Sequence, residues 1–221
     1  MTTATTEAPA LAVEEIAVQW PYRMSYDLYE RIAELDVIRN EEHVVLLDGI
    51  LMQTGPKTPA YCTACHRGRE VLQTVVPTGW HVRPNQPVVL RGGKRGDSVP
   101  EPAICVTHGP NGRYQARHPE GTDVGLIVSI VTTAEALAVE RDGASRYAHA
   151  AVPTLWIVAL HDRSVHVYTE PSGPTSDPSY AQVEVKRPGE LLGTILKPST
   201  PDEPLATLGP IAVESFFTPN P

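Results

Sequence analysis

From Ser25 onward the apolar positions fall into two periods. Leu28, Ile32 and Leu35 recur at helical spacing behind Ser25, a residue suited to an N-cap, so a short amphipathic helix is expected over 26–36. The run HVVLLDGILMQ, 43–53, is rich in β-formers and broken at Asp48-Gly49. Asp-Gly is the dipeptide of tight hairpins, so two short strands are expected there. After the loop GPKTP, the positions Tyr61, Cys65, Gly68, Val71, Leu72 and Val75 predict a helix over 60–76, ended by Pro77, Thr78 and Gly79. WHVRPNQPVVL, 80–90, is strand-like, with prolines that suit an edge or a bend. RGGKRGDS, 91–98, reads as a turn, and PAICVT, 102–107, as a short buried strand.

The polar segment 108–122 is long for an inert connection and is a candidate cover for a cleft. VGLIVSIV, 124–131, is almost wholly apolar, as a central strand covered on both faces must be. Thr132 or Thr133 then caps a helix from about 134 to 150. Two strands, 154–162 and 164–171, flank an Asp162-Arg163 turn, and 181–192 adds strand and turn. The remainder, 195–221, reads as a Pro-rich tail with one last apolar run, PIAVESFF. This order of helices and strands predicts an α/β or α+β fold, a sheet with helices packed against it.

The chain has 221 residues, 41% of them hydrophobic, enough for the core of one domain. No apolar run approaches the ~18 residues of a membrane span, and the N-terminus has neither the basic start nor the apolar stretch of a secretory signal. Three cysteines, an odd number, argue against a disulfide framework, so a cytoplasmic location is expected. The net charge of −8 gives no global sign of a nucleic-acid-binding surface.

Few local motifs carry chemistry. Cys62-Thr63-Ala64-Cys65-His66 matches the letters of a haem attachment site, but haem attachment needs export, and zinc would need two further ligands at matching spacing. No haem, metal or redox role is expected for it. The eight histidines show no metal-binding spacing. His161 and His166 flank a hairpin turn and are expected at the surface, whereas His108 and His118 share the long loop and are worth following. Ser129 interrupts an apolar strand and must find a hydrogen bond, ordinarily to nearby backbone. RGGKRGD lacks the pattern of a phosphate loop and is expected to be a hairpin turn.

The stretches MSYDLYERIAE, VVLLDGILMQTGPKTP, VPEPAICV, DVGLIVSIV and RYAHAAVPTLWIVALHDRSVHVYTEP occur in an order that resembles the Uma-two family of restriction endonucleases, within the PD-(D/E)XK nuclease superfamily. The resemblance covers about 20–217 and implies one domain there, with a disordered tail over 1–19 and a short tail over 218–221. It implies a mixed central sheet flanked by helices, and Mg²⁺-dependent phosphodiester hydrolysis by carboxylates and a lysine. Nucleic acid is the implied partner.

Carried over residue by residue, the same resemblance finds the catalytic positions substituted. Val45 stands where the family has a glutamate before the Asp-Gly turn. Ala103 stands where it has an aspartate, Ser129 where it has a second glutamate, and Gly143 where a lysine lies four residues before Tyr147. Tyr61 replaces a histidine. The expectation is therefore a catalytically degenerate homologue, a pseudoenzyme without a cofactor, serving as a binding or regulatory module. The alternative is an active Mg²⁺-dependent DNA endonuclease with a relocated site built from Asp48 and Glu101, with Arg141 as the cation. A third reading has loop 108–122 close over a cleft and bind an anion through Arg113 and Arg117. Edge-strand or hairpin pairing would give a homodimer, and no membrane partner is expected.

Overall fold

In chain order the computed structural model has α1 (Tyr26–Glu34), β1 (Val44–Leu47), β2 (Ile50–Gln53), α2 (Pro59–Val75), β3 (Trp80–Pro84), β4 (Ile104–His108), β5 (Val124–Val131), α3 (Ala134–His149), β6 (Thr154–Ala159), β7 (Ser164–Pro171), β8 (Tyr180–Lys186), β9 (Leu191–Leu196) and β10 (Ala206–Ala212). It describes residues 21–35, 43–93, 95–200 and 202–219. The expected tail over 1–19 lies outside them. Each helix starts where a hydroxyl can accept an otherwise unpaired N–H. Ser25 accepts from Leu28 N, Thr58 from Tyr61 N ahead of Pro59, and Thr133 from Ala136 N.

Six strands form the main sheet in the order β3-β4-β5-β6-β7-β8. β5 and β6 are parallel, joined across α3, and the other pairs are antiparallel, so the sheet is mixed. Every residue of β5 and β6 is buried. Alternation divides them between two layers. Leu126, Val128, Ile130, Trp156 and Val158 pack with Leu72 of α2. Ile127, Val131, Leu155 and Ile157 pack with Leu137 and Tyr147 of α3. The β1–β2 hairpin turns on Asp48 and Gly49, both with positive φ (51° and 75°), as a two-residue turn of this kind requires. Beside it, Gly49 N donates to the carbonyl Asp97 O of the 91–98 turn (2.8 Å), while Leu90 and Ser98 bridge antiparallel.

Three expectations are corrected. The run 80–90 is a strand only to Pro84, because Pro84 and Pro87 cannot donate to a ladder and Asn85 turns left-handed (φ 48°). The C-terminal 195–217 is not a tail. β9 and β10 pair antiparallel, and Leu192, Leu196, Leu208, Ile211 and Phe216 close the layer over α2. Proline and glycine interruptions hid that alternation. His166 is buried, not superficial, since it lies inside β7 rather than at its turn. Among the described residues no helix is long and apolar enough to cross a membrane.

Candidate functional site

A cavity of about 330 Å³ opens at the C-terminal end of β5. Val45 and Leu47 of β1 form one wall, and Lys57 and Tyr61 another. Glu101 and Ala103 enter from the approach to β4, Ser129 from β5, and Glu140, Arg146 and Tyr147 from α3. Three of the positions picked out in sequence, Val45, Ala103 and Ser129, thus converge on one cavity although they are far apart along the chain. Tyr61 joins them.

Ser129 lies on the face of β5 that meets α3. Its hydroxyl donates to Glu140 Oε1 at 2.6 Å, so its partner is a carboxylate and not the neighbouring backbone expected for it. Sequence reasoning missed Glu140. The available signal was its place on the stripe Leu137, Glu140, Ala144, Tyr147 that faces the sheet, where a lone acid must be paired. Tyr147 is buried, and desolvation raises its phenol well above the ordinary range. Tyr61 is shifted up in the same way, by burial first and by neighbouring thiols and carboxylates after it. Its hydroxyl and Lys57 Nζ both donate to Asn85 Oδ1, at 3.0 and 2.9 Å.

Gly143 is buried one turn before Tyr147. A Cβ built on it would overlap Arg146 Nη1, because the Arg146 side chain folds back over the preceding turn. The space beyond Gly143 is thus taken by a guanidinium from three residues further on, a second residue the sequence reading did not identify.

The residues considered as substitutes differ in their relation to the cavity. Glu101 lines the cavity, but β4 starts only at Ile104, so the strand alternation invoked to pair it with Ala103 does not apply. Asp48, at the hairpin turn, has its Oδ2 3.6 Å from Arg146 Nη2 and accepts from Ser98 Oγ at 3.4 Å. Arg141 is exposed and lies near His166 and Tyr168 of β7, away from the cavity lining. Loop 108–122 contributes nothing to that lining. Arg113 and Arg117 instead reach the buried Asp123 at 2.9 and 2.8 Å. His108 is buried against Trp80 and sits 2.7 Å from Glu203, whereas His118 is exposed, so the two do not act together. Cys62 and Cys65 lie within α2, one exposed and one buried, and Cys105, wholly buried, has its thiol pushed up to about 12.

A mixed sheet covered by helical and β-hairpin layers, with a cavity at the end of its central parallel pair, defines a nuclease-like α+β fold. A solved structure titled "putative nuclease belonging to DUF820", from Anabaena variabilis, is similar with a TM-score of 0.56 and 14% identity, over 89% of this chain and 98% of that one. No curated protein matches in sequence. Residues 26–197 match Uma2, described as "Putative restriction endonuclease", and the chain belongs to that family.

The family's nuclease chemistry implies Mg²⁺, which takes hard oxygen ligands in octahedral array. In the cavity lining Glu101 and Glu140 carry carboxylates, Glu140 receiving the Ser129 hydroxyl, while Val45 and Ala103 offer no side-chain oxygen. Among the described residues no three His, Cys, Asp or Glu side chains group as a metal site.

Proposed function

We propose that this chain is a Uma2-family protein whose nuclease chemistry has been lost and whose cavity persists as a binding or regulatory site. One observation carries this reading. Val45, Ala103 and Ser129 line a single cavity, and the space beyond Gly143 is occupied by the Arg146 guanidinium. On this reading the scaffold has been kept, with apolar side chains at Val45 and Ala103 and a guanidinium over Gly143. On this reading the protein works without a cofactor, in the cytoplasm.

The competing reading is an active Mg²⁺-dependent endonuclease that uses Asp48 and Glu101. Glu101 favours it by lining the cavity, while the Asp48 carboxylate faces Arg146. Calorimetric titration of the full chain with Mn²⁺ and Mg²⁺, beside the Asp48→Asn, Glu101→Gln double variant, separates the two. We expect no saturable binding, and no cutting of single- or double-stranded DNA with either metal. Saturable binding that the double variant loses would overturn the proposal and establish the relocated site.

A further inference from the structure

We infer that the cavity binds a small organic oxyanion, a single carboxylate or phosphate head on an apolar body, with Arg146 as its anchor. This rests on the reading of the cavity as a binding site and names what it takes. A guanidinium has five N–H donors in a planar fork and is best satisfied by two parallel bonds to an oxyanion at about 2.7–2.9 Å. Arg113 and Arg117 each meet one carboxylate oxygen of Asp123 at such a distance, 2.9 and 2.8 Å. Arg146 does not. Its side chain is only 18% exposed, and its nearest carboxylate, Asp48, stands at 3.6 Å. Its Nε is buried without a hydrogen-bond partner among the described residues. A largely desolvated cation with unused donors, facing a cavity, is an incomplete ion pair.

The surroundings set the rest of the ligand. Val45, Leu47, Pro100, Ala103 and Ile130 supply apolar walls, and about 330 Å³ is at the small end of ligand sites. Glu101 stands at the rim and Glu140 is occupied by Ser129. Both carboxylates repel further negative charge, so one anionic head is accepted and a polyanion is not.

The test uses benzoate, phenyl phosphate and the uncharged benzyl alcohol, titrated calorimetrically in EDTA. Benzoate or phenyl phosphate binds saturably and benzyl alcohol does not; whichever acid binds more tightly identifies the head group. Arg146→Gln weakens binding at least tenfold. Gly143→Ala gives an independent arm. Its new methyl occupies the place of Arg146 Nη1, a flexible side-chain end, while alanine is the better helix former, so the variant folds and loses affinity with its guanidinium displaced. Binding of neither acid, equal binding of benzyl alcohol, or undiminished affinity in Gly143→Ala would overturn the inference. Because no metal is present, a chain that cuts DNA with Mg²⁺ yet binds benzoate through Arg146 refutes the loss of catalysis and keeps the anion site.

Discussion

Asp123 makes loop 108–122 a clasp, and replacing it should show how much that clasp contributes. Its side chain is 3% exposed, while those of Arg113 and Arg117 are 36% and 40% exposed. It also accepts from Glu120 N at 3.0 Å, closing a reciprocal cap on the turn before β5. The Tyr114 ring lies beneath three guanidiniums, Arg83, Arg113 and Arg117, at 5.0–6.0 Å. Asp123→Asn keeps the shape and one acceptor but leaves Arg113 and Arg117 without their shared counter-charge. Breaking a fully buried pair costs roughly 3–5 kcal/mol, and an exposed pair about 0–1. Here the anion is buried and the cations reach water, which places the loss near ~2 kcal/mol. For a chain of this size that lowers Tm by about 4–8 °C.

Urea unfolding across a pH series is the assay. Burial opposes ionisation of Asp123, but the Arg117 hydrogen bond, the Glu120 N–H and both guanidinium charges together hold its carboxyl below the ordinary range. The stabilisation is therefore complete above the unfolded value of about 4 and fades as pH falls through the lower folded value. A variant within ~0.5 kcal/mol of the parent at pH 7, against that ~2 kcal/mol, would refute the reasoning. So would a difference that does not shrink on acidification.

Three further outcomes are expected. Phe216→Ala should cost about 3–5 kcal/mol in urea unfolding, because Phe216 is fully buried, edge-on to Trp156 and pressed against Gly68. His166 is held below its usual value by burial first and by Arg141 next, so the native state should lose stability as pH falls from about 6.5 toward the folded value. His166→Gln should flatten that slope in the same assay. Under the proposed loss of catalysis, the combined Ala103→Asp, Ser129→Glu, Gly143→Lys variant should gain saturable Mn²⁺ binding in calorimetry. No gain would mean that the cavity itself has changed shape.

Strand alternation and helix periodicity, read locally, determined much of this protein. The run 124–131 had to be a central strand because Ser129 is its one polar side chain, and all of β5 is buried. Asp48-Gly49 had to turn because its dihedrals suit few other pairs, and Ser25 and Thr133 had to cap because a helix start leaves N–H groups unpaired. The resemblance alone singled out Val45, Ala103, Ser129 and Gly143 as positions to follow. Only the tertiary structure decided what those positions face. That Ser129 meets Glu140, and that Arg146 fills the space at Gly143, depends on how α3 docks across β5. The pairing of β9 with β10 over α2, and the arginines drawn to Asp123, likewise join segments whose neighbours in sequence give no sign of them. Periodicity records which face of an element is buried. Which side chain waits on the opposing face is fixed by packing across the fold, and it is there that the chemistry of this cavity was set.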